Sequence, residues 1–241
     1  MMQPTESDAT SYSLAALEEG SILLIDKPAG WTSFDVVNKI RGTIKFQLGI
    51  KKIKVGHSGT LDPMATGLLL LGTGKCTRDL ASLQELGKCY EGTIKLGATT
   101  PSYDAETEID QIYPFEHITK VALEEAVNKF KGELMQIPPI FSAIKVGGQP
   151  LYKKARKGEV FEPEARKITI YSLEILRFDL PEIDFAVHCS KGTYIRSLAY
   201  DIGKMLGSGA HLTRLVRTKI GDYSLSDAST PEKIIAAIKA K

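Results

Sequence analysis

The sequence has no CxxC pair, no apolar run long enough to cross a bilayer and no marked excess of either charge. Each shortage excludes a class of protein. The three cysteines, Cys76, Cys89 and Cys189, are odd in number and far apart, so neither a disulfide framework nor a zinc knuckle is indicated. They read as reduced thiols of a cytoplasmic protein. Apolar runs such as Leu68–Leu71 fall far short of the roughly 20 residues of a spanning helix. The start, MMQPTESDATSYSL, has no positive n-region and no apolar h-region, so it reads as neither a signal nor a transit peptide. A formal net charge of +2 argues, over the whole chain, against a strongly basic nucleic-acid binder. There is no HExxH, no GxSxG and no GxGxxG after a strand, which removes the commoner zinc, hydrolase and dinucleotide motifs. LLLLGTGKCT comes nearest to a phosphate loop. It fails because Leu69 stands where the first glycine is needed and Cys76 where Ser or Thr is needed.

What is present is an ordinary globular composition, 43% hydrophobic and 25% charged over 241 residues. That length suits one large domain, or one with a small appendage, and needs no disulfide or metal to hold a core. Residues 1–20 read as a mobile tail or peripheral segment, and residues 21–241 as one catalytic-sized domain. Ser21 to Ile25 reads as a buried strand stopped by the turn Lys27-Pro28-Ala29-Gly30. Thr32 or Ser33 caps a helix to about Lys45, with Val36, Val37, Ile40 and Ile44 as its apolar stripe. Leu68 to Leu71, Tyr90 to Leu96, Ile168 to Phe178, Phe185 to Cys189 and Leu212 to Ile220 read as strands. Thr119 to Phe130, Ser197 to Leu206 and Pro231 to Lys241 have helical spacing, and Pro138 to Gln149 reads as a surface loop. Without regular βαβ alternation, the class is α+β with a mixed, mostly antiparallel sheet flanked by helices.

Charge is unevenly placed. Val36 to Leu61 carries Lys39, Arg41, Lys45, Lys51, Lys52 and Lys54 with no acid, and Leu134 to Gly158 carries Lys145, Lys153, Lys154, Arg156 and Lys157 with none. Lys204, Arg214, Arg217 and Lys219 follow between Ile202 and Gly221. If these segments meet in space they form a phosphate-tracking face; if not, they are solvated surfaces.

The most informative stretch is Gly56-His-Ser-Gly-Thr-Leu-Asp-Pro-Met-Ala-Thr-Gly67. It sets Asp62 at the corner of a glycine-rich loop immediately before a buried strand. Pro63 biases Asp62 toward extended backbone, and Gly59 and Gly67 let the chain turn and a substrate approach. Two readings fit the local pattern: a reactive carboxylate on a rigid support, or a turn aspartate bonding to nearby N–H groups.

GHSGTLDPMATGLLLLGTGKCTR resembles the catalytic motif of the TruB family of tRNA pseudouridine synthases. Asp26-Lys27-Pro28 with Gly30 and Thr32-Ser33 resembles the family's first motif, and Lys88-Cys-Tyr90 with Leu96-Gly97 its next. Gln136-Ile-Pro-Pro139, Ser142-Ala-Ile-Lys145 and Leu151-Tyr-Lys-Lys-Ala-Arg156 resemble the middle block. Cys189-Ser-Lys-Gly-Thr-Tyr-Ile-Arg196 with Asp201-Ile-Gly203 resembles the last motif. The resemblance implies a cofactor-free, metal-free synthase, expected to be a monomer. It would convert uridine 55 in the tRNA T arm to pseudouridine, with tRNA as partner and no membrane. It implies that Asp62 is the catalytic carboxylate, paired with Arg196, and that Tyr90 stacks on the uracil or handles its C5 proton. It further implies that Lys27, Tyr194 and Leu215 line the pocket, that His57 enters the space left by the flipped base, and that Asp104 and Arg217 form a supporting ion pair. Whether the carboxylate attacks the sugar, attacks the base or takes the C2′ proton stays open.

The chain also departs from the family pattern. About twenty residues follow Gly221, so a complete PUA domain is not expected. Thr107 stands where the family has a glycine after Asp104. Two rivals remain: a dyskerin-like subunit that needs guide RNA, and a non-catalytic tRNA-binding or tRNA-folding module.

Overall fold

The computed structural model describes residues 13–142, 145–146, 149–150 and 163–240. Residues 1–12 of the expected tail, the motif Leu151 to Arg156 and the basic residues Lys153, Lys154, Arg156 and Lys157 lie outside the described residues, as does part of the expected loop from Pro138. The chain divides into two compact units, Met1–Leu86 with Val216–Lys241, and Gly87–Leu215. The sequence alone reads as one domain because the strand Ala210–Ile220 runs unbroken through the second boundary.

In the first unit, strands Ile22–Lys27 and Thr66–Thr73 pair antiparallel, from Ile22 opposite Gly72 to Lys27 opposite Gly67. The end of Ala210–Ile220 joins parallel, with Val216 opposite Thr66 and Arg217 opposite Gly67. Val55–His57 pairs with the other part of Thr66–Thr73. Leu68 to Leu71 are all buried, and burial on both faces explains an unbroken apolar run where alternation would otherwise be expected. Helix Ser33–Leu48 opens with a capping box between Thr32 and Asp35 and closes on Gly49 in the left-handed region. It buries the expected stripe of Val36, Val37, Ile40 and Ile44 and packs against helix Pro231–Lys239. The expected tail contains a short helix, Leu14–Glu19, with Leu17 buried. It lies on Gly74, where a Cβ would come within 2.3 Å of the Glu18 carbonyl. That contact accounts for the glycine of the phosphate-loop lookalike.

In the second unit the sheet runs from the first part of Ala210–Ile220 to Lys88–Leu96, Glu182–Cys189, Arg166–Asp179 and Gly132–Gln136. Lys88–Leu96, Glu182–Cys189, Arg166–Asp179 and Gly132–Gln136 pair antiparallel in turn. Along Glu182–Cys189, Ile183, Phe185, Val187 and Cys189 are buried at every second position, as a half-covered sheet requires. Helix Lys120–Lys129, capped by Thr119, packs on Arg166–Asp179 and on helix Ile195–Met205. The class is the expected one, α+β with a mostly antiparallel sheet flanked by helices.

Candidate active-site residues and their supports

The loop carrying Asp62 is held through its backbone by three buried side chains of the first unit. Ser33, 1% exposed, accepts the Leu61 N–H at 2.8 Å and donates to the Leu61 carbonyl at 3.2 Å. Because Thr32 supplies the helix cap, the Ser33 hydroxyl is left for this clamp 28 residues away. Lys27, fully buried, donates to the carbonyls of Pro28, Trp31 and Pro63 at 2.9, 2.6 and 3.4 Å. Arg217, 1% exposed, donates Nε to the Leu68 carbonyl at 2.7 Å, and its two terminal nitrogens to Thr60 and Gly59 at 3.4 and 3.2 Å. Gly30 N–H donates to the Pro63 carbonyl, and Ala65 N–H to that of Asp62. Asp62 itself is half-buried. The residues on either side of it, Leu61 and Pro63, are thus each tied to a buried group. Lys27 and Arg217 grip this loop from within, although the resemblance implies that Lys27 lines the pocket and Arg217 supports a carboxylate.

Gly67 completes the arrangement. Its φ is +98°, and a Cβ would sit 2.4 Å from the Arg217 carbonyl, so only glycine lets that strand come so close. His57, on the strand paired with Leu71, has a buried Nδ1 with no hydrogen-bond partner among the described residues, as has the neighbouring Ser58 hydroxyl. Burial lowers the His57 pKa, with the Arg217 charge adding to it and a hydrogen bond at the Gly59 backbone opposing. The imidazole is therefore neutral at pH 7.

In the second unit, Tyr90 is buried on Lys88–Leu96 opposite Val187, and Leu215 is buried on the neighbouring strand Ala210–Ile220. Tyr194 precedes helix Ile195–Met205. Its N–H donates to Gln136 Oε1 at 2.8 Å, and Gln136 Nε2 donates back to its carbonyl at 3.0 Å. The Arg166 guanidinium lies 5.7 Å from the Tyr194 ring centroid. Arg196, 4% exposed, donates to the carbonyls of Ser102 and Phe141 at 3.0 and 2.9 Å. Its Nε lies 3.4 Å from Asp104 Oδ2, and Asp104 also accepts from the Ser102 hydroxyl and the Glu106 N–H. Asp104 thus has Arg196 as an ion-pair partner within the second unit, while Arg217, for which the resemblance implies a partnership with Asp104, gives its fork to three carbonyls of the first unit.

Sequence reasoning missed Ser33 and Gln136 as supports. Ser33 looks like a cap candidate, and Gln136 sits inside the matched Gln136-Ile-Pro-Pro139 block without an assigned role. The remaining histidines have local duties: His117 contacts the Leu206 carbonyl, His211 that of Ala98, and His188 lies against Tyr171. Among the described residues no group of three or more His, Cys, Asp or Glu is placed to hold a metal ion, and none of the three cysteines is bridged.

Asp201, on the same helix as Arg196, has its pKa pushed up to about 6 by burial, partly offset by Lys204. The folded state therefore favours the protonated acid. Its ionisation costs no stability below the unfolded carboxylate range, near 4, and the full cost is present above about 6. Asp201→Asn is expected to raise the thermal midpoint at pH 7 and leave it unaltered near pH 4. Equal midpoints for the two proteins at both pH values would sink this assignment.

Comparison with known proteins gives a consistent result. The family model described as the TruB family pseudouridylate synthase N-terminal domain matches residues 45–195, and that of the tRNA pseudouridylate synthase B C-terminal domain matches residues 196–241. A protein named tRNA pseudouridine synthase B from Flavobacterium johnsoniae is 60% identical over 87% of this chain and 92% of its own length. One of the same name from Phocaeicola vulgatus is 55% identical over 89% and 92%. Among solved structures, a chain of a Cbf5–Nop10–Gar1 complex superposes with a TM-score of 0.68 at 28% identity, over 93% of this chain. This chain spans only 56% of that one.

Proposed function

We propose, for a chain that belongs to the TruB family of pseudouridylate synthases, that it isomerises uridine 55 of the tRNA T arm to pseudouridine with Asp62 as the reacting carboxylate. The observation that carries this reading is the Asp62 loop, whose backbone is fixed on both sides of the carboxylate by Ser33, Lys27 and Arg217. A turn aspartate needs no such support. A carboxylate that must meet a ribosyl carbon or a base within a fraction of an ångström does.

The reaction breaks the N1–C1′ bond, turns the uracil in place and joins C5 to C1′. The C5 proton leaves and N1 ends protonated, so nothing is oxidised and no group is transferred from outside. The uridine must leave its stack, at a cost of a few kcal/mol. Tyr90 and Tyr194 offer rings to the extruded uracil, Leu215 an apolar wall, and Arg196 a cation for the carboxylate. The neutral His57 suits insertion into the gap left in the RNA, since a neutral ring is cheaper to place among bases than a charged one. We read the enzyme as a cytoplasmic monomer acting on free tRNA.

The test is pseudouridine mapping in an unmodified tRNA transcript incubated with the purified protein. Conversion at position 55 is expected, with none in a transcript carrying cytidine there. Activity only after a guide RNA is added would favour the guide-dependent alternative. Binding without conversion under either condition would leave a tRNA-binding module.

A further inference from the structure

Helices Ser33–Leu48 and Pro231–Lys239 of the first unit leave an open groove between them, lined by Asn38, Lys39, Gly42, Thr43, Phe46 and Lys239, with Ile235 as part of its wall. Three features set it apart. Gly42 lies inside a 16-residue helix without a left-handed φ, and a Cβ there would meet nothing within 4 Å. Such a glycine weakens the helix relative to alanine, and no neighbour among the described residues requires it. Its use is to keep the floor of the groove open to something outside.

Charge is the second feature. Lys39 and Lys239 stand on opposite walls and are exposed, and no acid occurs from Val36 to Leu61, where Lys45, Lys51, Lys52 and Lys54 follow. The nearest acids in these helices, Asp35 and Glu232, lie in their first turns, outside the lining. The third feature is Phe46, 82% exposed and two turns after Lys39 on the same helical stripe. An exposed aromatic between lysines is what single-stranded or kinked RNA uses, with phosphates on the cations and a base or ribose on the ring.

We propose that this groove is a second contact for the substrate RNA. It takes a stretch of ribose–phosphate backbone whose phosphates lie against Lys39 and Lys239, and an unstacked base or ribose against Phe46. The backbone approaches closely over Gly42. This rests on the reading of tRNA as substrate.

The experiment measures tRNA affinity at several salt concentrations, together with kcat at saturating tRNA. It compares wild type, Gly42→Gln, Phe46→Ala and the double variant Lys39→Gln with Lys239→Gln. Lys120→Gln in the second unit is a single-charge control. Gly42→Gln and Phe46→Ala are expected to raise Kd about tenfold. The double lysine variant should remove about 1.5 from the slope of log affinity against log salt. All should keep kcat within about twofold of wild type, and Lys120→Gln should match wild type throughout. Gly42→Gln should melt at or above the wild-type midpoint, because a side chain there meets only open space, so its weaker binding cannot be blamed on unfolding. Kd values within twofold of wild type, with salt slopes within about 0.5 of it, would overturn the proposal, including where the groove is instead covered by the chain's own N-terminal residues or by a second copy. In that outcome the wild type still modifies tRNA. A wild type that neither binds nor modifies tRNA overturns the proposed function and this inference with it.

Discussion

Asp62→Asn is expected to lower the rate of pseudouridine formation by on the order of 10⁴-fold or more, while tRNA affinity stays within about threefold of wild type and the thermal midpoint within a few degrees. The amide has the same shape as the carboxylate. The bonds that clamp the loop run through backbone atoms of Gly59, Thr60, Leu61, Pro63 and Leu68, so the substitution leaves them in place. What it removes is the negative charge and the basic oxygen, which any of the roles open to this carboxylate requires. Asp62→Glu gives a sharper reading of the same idea. It restores the charge but moves it by about one bond length, and displacement of a reacting group by about 1 Å can cost roughly 10²-fold. Single-turnover rates for the two variants would separate charge from position. If Asp62→Asn kept more than about a tenth of the wild-type rate, Asp62 would not be the reacting group.

Much of this arrangement is legible in the chain because its signals are local. The apolar run Leu68–Leu71 marks a strand buried on both faces. The spacing of Val36, Val37, Ile40 and Ile44 marks a helix, and the loop before Leu68 shows its glycines and Asp62 directly. The supports are not legible in the same way. Ser33 stands beside a capping threonine and reads as part of the cap, while its bonds go to Leu61. Lys27 reaches Pro63 and Arg217 reaches Thr60 across 36 and 157 residues of sequence, and no periodicity encodes a side chain bonded to a distant carbonyl.

The same limit applies to the Asp104–Arg196 ion pair, because sequence holds no distances with which to bring these two charges together. It also explains the helix Leu14–Glu19, which is six residues long and has no side-chain cap. Such a helix exists because Leu17 finds a place in the core, a tertiary cause with no signature in its own residues. Arg217 illustrates a further point about charge. Counted in sequence it belongs to a basic segment available to RNA phosphates, yet at 1% exposure it serves the protein's own carbonyls.

Arg217 is therefore the second residue whose replacement should have a large effect, and the effect should divide into two parts. Arg217→Met keeps much of the apolar stem but leaves the carbonyls of Leu68, Thr60 and Gly59 without their donor. At about 1 kcal/mol for each lost bond, the cost is roughly 3 kcal/mol, which for a chain of this size lowers the thermal midpoint by about 6 to 12 °C. Arg217→Lys should fall between the two, because one ammonium cannot reproduce a fork that meets three carbonyls. A residue that only stabilised the fold would change nothing else well below the midpoint. Here kcat at 20 °C should also fall, by about 10- to 100-fold, with KM for tRNA changed far less, because the loosened loop carries the proposed reacting carboxylate, Asp62. An independent readout is His57, whose pKa the Arg217 charge helps to lower. Histidine NMR titration of Arg217→Met should show it closer to the ordinary imidazole value. A variant that melts early yet turns over normally at 20 °C would reduce Arg217 to a structural residue. One that melts, turns over and titrates like wild type would remove the clamp altogether.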